Sequence, residues 1–252
     1  MNFSRIYLLA AFLAYVFFLV EQLPAAAIGI VLNKNDMPVR LFGTSGTWLD
    51  GSAAIASLGS FQMKNVCWRV SPASFLVGRI QATVEGKTGG SGWFRSRVRA
   101  GPGTITLSET EGRVPAAILA RIFKTGPGVE LQGTIVAGFP LVEIQNGIIR
   151  RIDGGAVWEE AALGGGVNLQ LGKLKADFPA GNSGVKGVLT DSGGPLSAEG
   201  VLSLLPDGGY TFSGRFAVRN PGNSELLALL KLAGRDSGNG RIAVALAGDT
   251  LL

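Results

Sequence analysis

The 252-residue chain carries 23 basic and 18 acidic residues, a formal net charge of +5, with 46% hydrophobic residues and 38 glycines. That balance excludes a disordered chain, points to one or two glycine-punctuated β-rich domains, and suits solubility beside an anionic membrane better than a nucleic-acid surface. Histidine is absent and Cys67 is the only cysteine, which removes the commonest general base, the commonest metal ligand and any internal disulfide.

The first predicted element is Ile6 to Val20, IYLLAAFLAYVFFLV, fifteen uncharged residues between Arg5 and Glu21. A membrane-crossing helix needs about 20 apolar residues and a cleavable signal about 7 to 15, so this run stands between the two. Arg5 on the short side predicts a cytoplasmic N-terminus and export of everything that follows. Extended from Ser4 to Leu23, the segment reaches spanning length, and a retained anchor over residues 1–23 is the expectation. The alternative is cleavage after Ala27, where Ala25-Ala26-Ala27 supplies small residues.

Residues 24–38 read as a linker, with one short helical turn between Pro24 and Leu32 before Asn33 to Pro38 breaks it. From Val39 the hydrophobic period becomes two. Ile80, Ala82 and Val84 alternate with Arg79, Gln81, Thr83 and Glu85; Phe94 and Val98 alternate with arginines; Ile105 and Leu107 alternate with threonine and serine. One dry and one wet face per strand predicts antiparallel sheet solvated on one side. The clearest meander is Val185 to Thr190, Leu196 to Leu205 and Tyr210 to Arg219, with turns at Asp191 to Pro195 and Pro206 to Gly209 and a candidate bulge at Gly214.

Two segments break this rhythm. Val114 to Lys124 and Ser224 to Ala233 read as short helices, the second capped by Asn223 or Ser224, and each precedes a strand, Leu131 to Gly138 and Arg241 to Gly248. The recurrence suggests two related halves, 39–138 and 139–252, within one exported β-rich domain over 39–252. The predicted fold is therefore mainly β: an N-terminal transmembrane helix, then a one-sided antiparallel meander with short helices.

Asp191-Ser192-Gly193-Gly194-Pro195 copies the surroundings of the nucleophile in trypsin-like proteases. That chemistry requires an imidazole to take the serine proton, and the chain has no histidine. Aspartate, serine and two glycines also satisfy a tight turn between strands, and a turn is what this stretch predicts. Cys67, among apolar neighbours, is expected to be buried. Tyr210, Phe212, Phe216, Leu202 and Leu204 form an inner face, and Phe212→Ala or Phe216→Ala should cost about 3 to 5 kcal/mol if these rings are fully buried. No catalytic, cofactor-binding or metal-binding residue emerges. One candidate contact does: Trp93, Arg95, Arg97 and Arg99 share a basic, aromatic strand face suited to a protein partner or lipid headgroups, against the plainer reading of a solvated strand.

Leu23-Pro24-Ala25, the run Gly43-Thr44-Ser45-Gly46-Thr47-Trp48-Leu49-Asp50-Gly51-Ser52-Ala53, and the run from Trp68 to Ile80 (WRVSPASFLVGRI) resemble the type II secretion system protein N family in order and spacing. The Gly208-Gly209-Tyr210 hairpin and the leucine helix before the last strand are similar too. The resemblance implies a non-enzymatic, single-pass accessory component of the inner membrane. It would assist export of folded periplasmic proteins across the outer membrane of Gram-negative bacteria, with other secretion components as partners and no cofactor. A second class fits the residues as well: a periplasmic sheet that binds lipid or another hydrophobe on its inner face.

Overall fold

The computed structural model describes residues 7, 11, 12, 15, 18, 21–34, 39–58, 61–88, 91–117, 129–165, 168–181, 184–220 and 222–248. These are mainly β, and they fall into two compact units, residues 1–87 and 88–252. Most of the expected anchor, residues 1–23, lies outside the described residues. Among the described residues no helix is long and apolar enough to cross a membrane.

The first unit contains helix α1 (Ala26–Lys34) and strands β1 (Val39–Gly46), β2 (Asp50–Leu58), β3 (Phe61–Val70) and β4 (Ile80–Lys87), with a 3-10 segment at Pro72–Val77. α1 is longer than the single turn expected before Asn33. The four strands pair in chain order, all antiparallel. Ala25, Leu49, Ala53, Trp68 and Val70 form its core. Trp68 is fixed by its indole N–H, which donates to the carbonyl of Trp48 at 3.1 Å. The chain just after the expected anchor is clipped to this sheet: Ala25 N–H donates to Gly46 O at 3.0 Å, and Trp48 N–H to Leu23 O at 3.0 Å. Two of the stretches that carry the family resemblance are thereby in direct contact.

Cys67 is exposed, not buried as expected. In β3, Val66, Trp68 and Val70 are buried while Cys67 and Arg69 are exposed, so the same alternation that buries its neighbours turns the thiol outward.

The second unit holds β5 (Trp93–Gly101), β6 (Thr104–Pro115), β7 (Val129–Gln145), β8 (Ile148–Gly165), β9 (Leu169–Phe178), β10 (Val185–Asp191), β11 (Leu196–Leu204), β12 (Tyr210–Val218), α2 (Ser224–Ala233), β13 (Arg235–Asp236) and β14 (Arg241–Gly248). From β5 to β12 each strand pairs antiparallel with the next; β14 then pairs with β12 and carries the two-residue β13 on its other side. The expected hairpins around Asp191 and Pro206 are present. The helix expected from Val114 is not as drawn, because Val114 and Pro115 close β6; residues 118–128 lie outside the described residues. Leu131 to Gly138 is part of a longer strand, β7. The junction of the two suggested halves, Gly138–Phe139, falls within that strand, and the division into units bears on neither half.

α2 forms where expected. Asn223 Oδ1 accepts from Leu226 N–H at 3.2 Å, Glu225 sits in the first turn and Lys231 in the last, each complementing the helix dipole. Leu226 and Leu230, four residues apart, lie on one side and are buried against Leu171, Leu174, Leu196, Ala198 and Ile242. Each buried leucine contributes about 1.5 to 3 kcal/mol.

Gly214 is no bulge. It lies in register with Gly200 on β11 and Val244 on β14. A Cβ on either glycine would stand 2.9 Å from the Phe212 ring, so these glycines make room for an aromatic ring laid across the strands. Phe212 and Phe216 are half-buried, not fully buried, because α2 covers only part of this face. Phe212→Ala is accordingly expected to cost about 1 to 2 kcal/mol, below the range for a fully enclosed ring; chemical denaturation measures it, and a loss as large as that of a core phenylalanine would show the face to be closed.

True register shifts occur elsewhere. In β9, Gly172 has φ +100° and lets Leu171 and Leu174 both point inward, which strict alternation forbids.

Candidate interaction surface

Alternation along β5 is unbroken, so Trp93, Arg95, Arg97 and Arg99 share one face while Phe94, Ser96 and Val98 turn to the other. Ser96 is buried, its hydroxyl 2.7 Å from that of Thr110. Trp93 is 43% exposed, which makes it the one large apolar group among the four.

What stands beside these arginines is decided by β6. Arg95 is opposite Glu111 and Arg97 opposite Ser108, with an extra residue on β6 between these pairs. The bulge puts Glu109 at φ +51° and brings its carboxylate to Arg97 as an ion pair. Arg113, opposite Trp93, pairs with Glu159 at 3.3 Å, and Lys173 reaches the same carboxylate at 3.9 Å. The result is a mosaic of both signs, not a basic stripe. Among the described residues Arg99 forms no ion pair; its cross-strand neighbour is Thr106. The exposed pairs contribute little stability, under about 1 kcal/mol each, but they order the side chains that a partner would meet.

The protease-like segment resolves into a structural clamp. Asp191 accepts from the backbone N–H of Gly193 at 3.0 Å and of Ala198 at 3.0 Å, and it pairs with Arg219. Arg219 also donates to the carbonyls of Gly194 at 2.8 Å and Leu196 at 3.2 Å, tying the end of β12 to the β10–β11 turn. Burial pushes the Asp191 carboxyl up, but the Ala198 N–H, the Arg219 guanidinium and the Gly193 N–H together outweigh it and hold the group below the usual carboxylate range. Ser192 is exposed. Its backbone N–H donates to Lys173 O at 2.8 Å, so the residue serves the turn through its main chain.

A second feature escaped the sequence reading. An open cavity of about 980 Å³ lies across β10, β11, β12 and β14, with Val188, Val201, Ser213 and Ala245 on its floor and Glu199, Arg215 and Arg235 among its lining residues. Alternation turns Arg215 outward from Phe216. Only strand register, however, brings Arg235 of β13 into the same row.

A family model described as "Type II secretion system (T2SS), protein N" matches residues 37–245. The chain belongs to the type II secretion system protein N family. It is similar to the type II secretion system protein N of Klebsiella pneumoniae, 28% identical over 234 residues that cover 90% of this chain and 89% of that protein. No solved structure matches it. As a protein N family member the chain is a secretion-system component, and the stretches from Gly43 to Ala53 and from Trp68 to Ile80 that carried the resemblance lie inside the matched region. The glycines, tryptophans and turns of these stretches are packing and punctuation, with no catalytic signature among them.

Proposed function

We propose that this protein is a non-enzymatic accessory component of the type II secretion system, held in the inner membrane by residues 1–23 with residues 24 onward in the periplasm. There it supports export of folded proteins across the outer membrane. The family match over residues 37–245 carries this reading. Two further observations support the anchor. Tyr7, Phe12, Tyr15 and Phe18 are helical and exposed, as residues facing lipid would be. The hydrogen bonds of Ala25 N–H to Gly46 O at the end of β1, and of Trp48 N–H in the β1–β2 turn to Leu23 O, leave no slack between such a helix and the sheet.

Alkaline carbonate extraction with N-terminal sequencing of the mature protein tests the anchor. The expected result is retention in the membrane pellet with the first 23 residues intact; release of a soluble form starting at Ile28 overturns it.

Within this reading, the wet face at Trp93, Arg95, Arg97 and Arg99 is the contact for another secretion component or for lipid headgroups. The test is a triple variant, Arg95→Gln, Arg97→Gln and Arg99→Gln. Glutamine is preferred to glutamate because Glu109 and Glu111 already lie beside these positions, and like charges there would add instability. Melting should change little, since exposed pairs contribute little, while secretion of a folded cargo and crosslinking to neighbouring components fall. Full secretion with unchanged crosslinking would mark the face as merely solvated.

A lipid- or hydrophobe-binding sheet is the second reading. It is favoured by the half-buried row of Leu202, Leu204, Tyr210 and Phe212 and by Leu246, 54% exposed at its end. A fluorescent lipid analogue that binds, and is displaced by Phe212→Ser, would support it.

A further inference from the structure

The cavity over β10 to β14 lies on the face opposite Phe212 and Phe216, and its chemistry divides in two. Its floor is small and, apart from the Ser213 hydroxyl, apolar: Val188 is opposite Val201, Val201 opposite Ser213, and Ser213 opposite Ala245. Val188 and Val201 are 40% and 42% exposed, and nothing among the described residues covers them. The next row along the strands is charged. Arg235, Ala243, Arg215 and Glu199 follow one another across β13, β14, β12 and β11 in direct register.

Both arginines are therefore cross-strand neighbours of the same alanine. Their Cα atoms stand two strand spacings apart, about 10 Å, and the short Ala243 side chain leaves the space between them open. Among the described residues neither Arg215, Arg235 nor Glu199 forms an ion pair or a side-chain hydrogen bond. Glu199 neighbours Arg215 on the side away from Ala243, so the gap over Ala243 is flanked by two positive charges and no negative one.

We infer that this cavity binds an anionic phospholipid, with the headgroup phosphate over Ala243 between Arg215 and Arg235 and an acyl chain along Ala245, Ser213, Val201 and Val188. The guanidinium fork matches phosphate oxygens, and the pairing gains strength from two charge-assisted contacts. The volume falls within the range of small-molecule sites. A peptide fits less well: Val188, Val201 and Ser213 belong to strands already paired on both sides, so a segment laid over them gains no ladder hydrogen bonds, whereas an acyl chain needs none. The site is independent of the secretion role and of the opposite, Phe212-bearing face.

The test uses the full chain reconstituted in phosphatidylcholine vesicles with a minor fraction of phosphatidylglycerol bearing a photoactivatable acyl chain. Adducts mapped by residue should fall on Val188, Val201 and Ala245. Arg215→Ala with Arg235→Ala should lower their yield about tenfold at an unchanged melting temperature, and the paired lysine variants should keep part of it. Val201→Glu, at an exposed floor position, should abolish the adducts without touching the arginines. Equal labelling by a photoactivatable phosphatidylcholine, or adducts on Leu202 and Phe212, would overturn the proposal. Stronger competition by polyglutamate than by unlabelled phosphatidylglycerol would overturn it in favour of an acidic peptide.

Discussion

Asp191→Ala is expected to destabilise the protein by about 2 to 3 kcal/mol, and Ser192→Ala to leave stability and secretion unchanged. The aspartate caps two backbone N–H groups and holds Arg219, which in turn bonds two carbonyls of the same turn. Hydrogen bonds to a charged group contribute about 1.5 to 3 kcal/mol, and removal leaves the donors short of a partner. The ion pair itself is discounted, because the Arg219 side chain is 44% exposed and screened by solvent. The carboxyl is held below its ordinary value in the folded protein. Its contribution is therefore fully present above the unfolded value of about 3.9 and is lost as pH falls through the lower folded value. Melting temperatures of the wild type and of Asp191→Asn should differ by a constant amount from pH 7 to about pH 4 and converge below it. A gap that closes already near neutrality, or a serine variant that loses secretion while melting normally, would show that this turn does something other than hold strands together.

The second large effect is expected at Gly194, and its size depends on a residue twenty-two positions away. Gly194 has φ +122° and Gly172 has φ +100°. A Cβ on Gly194 would lie 2.7 Å from the Gly172 Cα, and one on Gly172 would lie 2.6 Å from the Gly193 carbonyl oxygen. Each clash is with backbone that is itself tied down, since Ser192 N–H donates to Lys173 O. Gly194→Ala and Gly172→Ala should each cost about 2 to 6 kcal/mol, the sum of about 1 to 3 for a strained backbone and about 1 to 3 for overpacking. Gly193, with φ +94° but open space where its Cβ would go, should lose only the strain, about 1 to 2 kcal/mol for alanine. Equilibrium unfolding of the three single variants checks the order. Equal losses at Gly193 and Gly194 would mean that turn conformation alone, without the contact to β9, sets the requirement.

That contrast shows how far local chemistry reads. The sequence Asp191 to Pro195 is legible as a turn because it lies between two alternating runs and contains residues that tolerate positive φ. Why the second glycine is the stricter one is not legible, since its neighbour Gly172 arrives from another strand. The basic face behaves in the same way. Trp93, Arg95, Arg97 and Arg99 share a side by the simple period of a strand, and the structure keeps them together. That Glu109 meets Arg97 follows from one extra residue in β6, which no count along β5 reveals.

By itself the sequence determined the β-rich class, the antiparallel order implied by short polar turns, helix α2 with its Asn223 cap and leucine side, and membership of the protein N family through glycine and tryptophan spacing. These are properties of neighbouring residues, whose side-chain period and turn preferences act locally. The tertiary structure alone decided the bulges that let Leu171 and Leu174 point the same way, the room beneath the Phe212 ring, and the row that sets Arg235 beside Arg215. Cys67 is the instructive middle case, because its exposure was written in the alternation with Val66 and Trp68, and the apolar company it keeps along the chain concealed it. The physical reason is common to all: register is fixed by hydrogen bonds between strands, and a one-residue shift reassigns every side chain beyond it to the other face.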